Sequence, residues 1–134
     1  MPVARFWRDI PQRYNLYGSK CGSCGKVYFP TRYLCPACRR TSIGKMESIK
    51  LKGQGNIYSF SVIHDAPDSK RLQRPYAVAM IELEEGLKVT GEIVDIDSDK
   101  IEIGMRVRAV LRKLGDEGPG GIIHYGFKFI PADE

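Results

Sequence analysis

The 134-residue sequence predicts a mainly β protein in two parts, a small metal-stapled module at the front and a β barrel behind it. Three observations carry this expectation. All four cysteines fall within the first 38 residues as two C-x-x-C pairs, Cys21 with Cys24 and Cys35 with Cys38, ten residues apart. Beyond about residue 45 the chain reads as one alternating or apolar segment after another, broken by glycine turns. The length suits a compact module followed by a barrel of about 80 residues.

Residues 1–13 are expected to form a short helical segment. Phe6, Trp7 and Ile10 cluster on one side of a helix over residues 3–10, and Pro11 is expected to stop it. So short a helix does not hold its own shape in water, so it must dock on its own chain or on another protein. Trp7 is the only tryptophan and lies between Arg5 and Arg8. Trp and Arg are over-represented among interface anchors, which makes Trp7 a candidate partner contact; packing on its own domain is the alternative.

Residues 14–44 are read as the metal module. Two thiolates separated by two residues can turn toward one ion from a tight knuckle, and a second knuckle completes a tetrahedron of sulfur ligands. Gly25 follows the first knuckle, where positive φ is often needed, and Pro36 stiffens the second. The expected product is a rubredoxin-like zinc ribbon, with VYFP leaving the first knuckle as a hairpin. Iron in the same four-thiolate geometry and a pair of disulfides are the alternatives. With four protein ligands the ion has no open position, so metal hydrolysis is not expected.

Residues 45–134 are read as the barrel. KMESIKLK (45–52) alternates, and after Gly53 and Gly55 the segment NIYSFSVIH (56–64) alternates again, suggesting one long first strand bent at the glycines. On it Ile57, Ser59, Ser61 and Ile63 are assigned to one face, Tyr58, Phe60, Val62 and His64 to the other. Tyr76–Leu83, Leu87–Val94, Met105–Leu114 and Ile122–Ile130 follow as strands, with Glu84-Glu85-Gly86 as a hairpin turn. Five strands, a bent first one and a longer link between the third and fourth describe an OB-fold barrel.

Charge divides the chain. Residues 1–52 carry 11 Lys+Arg against 2 Asp+Glu, a balance of +9, whereas residues 53–134 carry 10 against 14, a balance of −4. A basic front can face nucleic acid, the phosphates of a cofactor or an acidic protein surface; it can also simply offset a four-thiolate centre. Single-stranded RNA or DNA is the rival ligand class, opposed by the acidity of the barrel half. No stretch approaches the roughly 18 apolar residues of a membrane span, and MPVARFWRDIPQ has charges where a signal peptide has its apolar core, so a cytoplasmic location is expected.

No catalytic constellation is expected. His64 and His124 fall within predicted strands, away from any Ser or Cys in a nucleophile pattern. Asp95, Asp97 and Asp99 superficially suggest a calcium loop, but Lys100 stands where its glycine is needed and Arg106 where its chelating Glu is needed. The loop PDSKRLQRP (67–75) is the strongest ligand candidate. Its Lys70, Arg71 and Arg74, together with Tyr58, Phe60 and Tyr76 on neighbouring strands, suit a phosphate-bearing ligand with a flat ring, such as an adenine nucleotide, coenzyme A or single-stranded nucleic acid. A solvated loop beside rings packed in the barrel is the bland alternative.

The order of segments RFWRDIPQRYNLYGSKCGSCGKVYFPTRYLCPAC, GNIYSFSVIHDAP, RPYAVAMIELEEG, IEIGMRV and FKFIP resembles the archaeal and bacterial zinc-ribbon/OB-fold family of acyl-CoA-associated, thiolase-partner proteins. The most specific matches are Arg13-Tyr14 before the first knuckle, Phe29-Pro30 after it, and the Tyr-Ala strand ending at Glu85-Gly86. The resemblance implies a non-catalytic partner of thiolase (acetyl-CoA acetyltransferase), bridging it to hydroxymethylglutaryl-CoA synthase in the mevalonate route to isoprenoids. It further implies a structural zinc at Cys21, Cys24, Cys35 and Cys38, docking through Phe6, Trp7, Arg8 and Tyr14, and a barrel whose strands and 67–75 loop face coenzyme A or acyl-CoA.

Overall fold

The computed structural model describes residues 3–68, 73, 75–116 and 118–132. Two short helices open it, α1 (Val3–Arg8) and α2 (Ile10–Asn15). Pro11 does not stop the helical segment as the sequence suggested. It lies in the first turn of α2, where its missing N–H costs nothing and its fixed φ suits the helix. The chain leaves α2 through Leu16 in the left-handed region (φ 52°), whose N–H returns to the Pro11 carbonyl.

A three-stranded sheet follows, with β1 (Tyr17–Cys21) between β2 (Val27–Tyr28) and β3 (Met46–Lys50). The expected hairpin out of the first knuckle is β1–β2, with Ser19 opposite Tyr28. The expected bent first barrel strand is instead two strands. β3 runs antiparallel to β1 from Cys21↔Met46 to Tyr17↔Lys50 and so belongs to the ribbon sheet. Alternation identifies a strand but not its neighbour, and the turn at Gly53 (φ 73°) separates the two segments.

The barrel is formed by β4 (Gln54–Ile63), β5 (Tyr76–Leu83), β6 (Lys88–Ile93), β7 (Arg106–Asp116) and β8 (Ile123–Pro131). Its closed order is β4-β5-β6-β8-β7, with a parallel contact of β6 and β8 at Ile93↔Phe129 and antiparallel pairing elsewhere, the order of an OB-fold. Ile57, Ile81, Val107 and Phe129 are fully buried at its centre. Leu16 and Leu51 belong to the same core cluster, and Val27, Phe29 and Ile49 pack against it. Of β7, only Arg106–Arg108 pair with β4; the remainder pairs with β8 and continues as a two-stranded arm.

Gly91 sits where β6 passes the core ring of Phe129, and a Cβ there would stand 2.5 Å from the ring. Overfilling a packed core typically costs about 1–3 kcal/mol. Gly91→Ala should therefore lower the denaturation midpoint by a corresponding amount, and an unchanged midpoint would mean that Phe129 has room to move.

Candidate metal centre and ligand-facing surfaces

The four cysteines converge. Cys21 ends β1, and its carbonyl accepts the N–H of Gly25 (2.9 Å), which turns with φ 75° as a knuckle of this kind requires. The second knuckle is closed by a 3-10 turn, Arg39–Ser42, whose Ser42 hydroxyl is buried; it accepts the Cys35 N–H at 2.9 Å and donates to the Arg39 carbonyl at 2.6 Å. Cys21 Sγ lies 3.9 Å from Cys38 Sγ, Cys24 Sγ lies 3.6 Å from Cys35 Sγ, and all four sulfurs fall within 4.8 Å of one another. A tetrahedron with Zn–S bonds of about 2.3 Å has edges of about 3.8 Å, so the donor set fits a four-thiolate zinc. Cys21 and Cys35 are buried, Cys38 is half-buried and Cys24 is exposed, so the centre meets solvent on its Cys24 side.

The thiols are electrostatically unequal. A hydrogen bond from the Tyr28 hydroxyl, 3.3 Å away, holds Cys35 down to about 6, and the same interaction pushes Tyr28 up to about 12. Hydrogen bonding to Cys24, with desolvation behind it, pushes Cys38 up to about 12. Tyr28 and Ser42 were not singled out from the sequence; VYFP marked the hairpin but not the hydroxyl aimed at a ligand sulfur.

The docking candidates separate by exposure. Phe6 is buried, its ring 4.4 Å from His124 and 6.1 Å from Tyr14, with the Arg13 guanidinium 5.2 Å above it. It fastens the helices to the β7–β8 arm, as does the half-buried Tyr14 against Tyr125 at 6.1 Å. Trp7 is 72% exposed and Arg8 is exposed beside it. On the ribbon, Tyr33 is exposed as well. Between Asp9 and Glu47 the chain carries seven Lys and Arg and no acidic residue.

The ligand candidates of the barrel do not form one shelf. A β-bulge between Ile57 and Ser59 shifts the register of β4, so that Phe60 and Val62 oppose the buried Ala79 and Ala77. The face assignment made from strict alternation therefore fails beyond Ile57. Phe60 packs on the core, whereas Tyr58 is half exposed with the Lys88 ammonium 3.9 Å above its ring. Tyr76 lies at the far end of β5, paired with Ile63. Lys70, Arg71 and Arg74 lie outside the described residues. His64 is exposed just beyond the end of β4 rather than within it. The acidic turn after β6 is paired with cations, Asp95 with Arg112 (2.5 Å) and Asp97 with Lys100 (3.3 Å). No helix among the described residues is long and apolar enough to cross a membrane.

Both halves of this architecture match known domains. Residues 8–44 match the rubredoxin-like zinc ribbon domain of ChsH2, and residues 48–112 match its C-terminal OB-fold domain. A DUF35 domain-containing scaffold protein of Methanothermobacter thermautotrophicus is 56% identical over 96% of this chain and 96% of its own length. The chain belongs to the DUF35 family. A second DUF35 domain-containing scaffold protein, from Methanocaldococcus jannaschii, is 49% identical over 98% of this chain and 92% of its own. Among solved structures, a chain of an Ltp2-ChsH2(DUF35) aldolase superimposes with a TM-score of 0.74 at 29% identity, covering 99% of this chain and 100% of that one. The benzoylsuccinyl-CoA thiolase subunit BbsA of Thauera aromatica is 30% identical over 58% of this chain and 51% of its own.

Proposed function

We propose that this DUF35 chain is a non-catalytic scaffold that associates with acyl-CoA enzymes and supports acyl-CoA transfer between them. The end-to-end match to relatives named as scaffold proteins carries this reading. The thiolase subunit among the more distant relatives supports a thiolase as partner. The finer assignment is that a thiolase and hydroxymethylglutaryl-CoA synthase are held together in the mevalonate route to isoprenoids. Condensing two acetyl-CoA molecules is unfavourable, so handing the product directly to a consuming enzyme draws the step forward. In this arrangement zinc rigidifies the ribbon, α1 presents Trp7 and Arg8 to an enzyme while Phe6 and Tyr14 hold the helices in place, and the barrel faces coenzyme A.

The cationic run from Arg13 to Lys45 favours one rival, a module for single-stranded nucleic acid. A native pull-down of the tagged chain, with and without nuclease and a salt wash, decides between them. Recovery of a thiolase and its companion synthase after nuclease and salt is the expected result. Nucleic acid or ribosomal components that disappear on nuclease treatment, with no acyl-CoA enzyme retained, would overturn the scaffold reading.

A further inference from the structure

β7 loses one of its two neighbours part-way along. Arg106–Arg108 pair with β4, and the Ala109 N–H still reaches the Gly53 carbonyl at 2.7 Å. There the chain ahead of β4 turns off into the ribbon, and no described residue pairs with Val110–Asp116 on that side, while β8 pairs with them on the other. Alternate residues of an antiparallel strand direct their N–H and C=O to opposite neighbours. Ala109 serves the β4 side, so Leu111 and Lys113 present theirs to the open edge, whereas Val110 and Arg112 serve β8. An edge of this kind is a template for a further strand.

A notch of about 160 Å³ opens beside that edge, lined by Leu16, Leu51, Leu111 and Phe127, with Lys50 and Lys52 on its ribbon side. Hollows of roughly 150 Å³ take one benzene-sized group, so the notch suits a single apolar side chain. Leu111 alternates with the buried Val107 and so points to the barrel's inner side. A residue paired with Leu111 from outside places its own side chain on the same face, over the notch. Main-chain hydrogen bonds along an edge, with a pocket for alternate side chains, are how sheets capture extended peptides.

Charge selects the occupant. β7 carries four Lys and Arg against one acid, Asp116, and the two ribbon lysines face it across the notch. Glu84, Asp95 and Asp116 pair with most of these cations, whereas Arg108 and Lys50 are exposed and in no ion pair among the described residues. A second copy would lay this edge against itself, cation on cation, which is destabilising across a ladder. An acidic strand gains where a copy loses.

We infer that the open edge of β7 is a strand-pairing site for an acidic, extended segment of a partner protein, with one apolar side chain of the segment seated in the notch. The inference goes beyond the scaffold reading and gives it a physical means of attachment other than α1. The test titrates the full metal-loaded chain with a blocked heptapeptide alternating glutamate with valine or leucine, and follows amide exchange residue by residue. In the free chain the Leu111 and Lys113 amides should exchange fast and those of Val110 and Arg112 slowly. Peptide should slow Leu111 and Lys113 saturably, by at least tenfold. Residues whose side chains cover the notch are those whose N–H groups face β7, so N-methylating the apolar residues of the peptide should weaken binding at least tenfold, and N-methylating the glutamates should leave it unchanged. Leu111→Pro removes an N–H that β8 does not use, a change that edge strands tolerate, and should lose binding to the same extent in a folded chain. Should that variant not fold, the two methylated peptides on the wild-type chain carry the decision.

No saturable slowing at Leu111 and Lys113 would overturn the assignment. Equal binding of the two methylated peptides would do so as well, since it marks a purely ionic contact such as any polyanion or nucleic acid makes. Protection of the edge that rises with chain concentration in the absence of peptide would assign the edge to a second copy instead. The two readings fail separately: peptide pairing by a chain that captures no acyl-CoA enzyme supports the edge and sinks the scaffold, and enzyme capture with no peptide response does the reverse.

Discussion

Removing metal from the four-thiolate centre should unfold the ribbon while leaving the barrel closed. The ribbon sheet consists of β1, the two-residue β2 and β3, too little structure to bury a core of its own. Structural zinc contributes about 10–16 kcal/mol in zinc-finger peptides, comparable to or larger than the whole stability of an ordinary domain, about 5–15 kcal/mol. The barrel has its own centre in Ile57, Ile81, Val107 and Phe129 and closes through its own strand pairing. After chelation, the amides of Gly22, Gly25 and Arg39, which bond across the knuckles and to Lys45, should lose hydrogen-exchange protection, while barrel amides stay protected. Cys35→Ser should produce the same pattern with metal present. Loading must also displace the proton from Cys38, whose thiol is pushed up to about 12, so affinity should fall as pH falls across the neutral range. Ribbon amides that remain protected after chelation would show that packing, and not metal, holds this module.

The ribbon chemistry was legible because C-x-x-C spacing is a local signal whose partner is another copy of itself. The strands Tyr76–Leu83, Lys88–Ile93 and Ile123–Pro131 were legible within a residue or so because apolar runs between glycine turns leave few alternatives. What escaped depends on neighbours remote in sequence. The alternation of KMESIKLK does not distinguish the ribbon sheet from the barrel, and only pairing with β1 assigns Met46–Lys50. Nothing in NIYSFSVIH announces a bulge, yet the extra residue after Ile57 turns Phe60 toward the core and leaves Tyr58 outside with Lys88. The ion pair of Glu92 on β6 with Lys128 on β8 had no local signature at all, since single charges in alternating strands read as solvated. For the same reason sequence placed Phe6 and Trp7 in one docking group, whereas the fold buries Phe6 against His124 and leaves Trp7 exposed.

That division yields a sharp expectation for Trp7→Ala. The side chain is 72% exposed, so its removal should leave the melting temperature within error of wild type. An exposed Trp flanked by arginines can bury much of its ring against a partner, and truncating a central anchor of this type costs about 2 kcal/mol or more, roughly a 30-fold loss of affinity. Phe6→Ala should behave in the opposite sense. It empties the space against His124 and Tyr14, and the loss of a buried aromatic ring costs about 3–5 kcal/mol where the surroundings cannot collapse, so the helices should detach from the β7–β8 arm. Binding to the purified thiolase, measured beside thermal melts, separates the two effects: Trp7→Ala stable but weak in binding, Phe6→Ala weak in both. Arg8→Ala should cost less than Trp7→Ala, because a rim charge acts mainly on the association rate and its contribution is screened by salt. If Trp7→Ala binds the enzyme as tightly as wild type, α1 is a brace and not an anchor. The exposed Tyr33 on the ribbon would then be the next aromatic candidate through which this DUF35 chain could hold its partner.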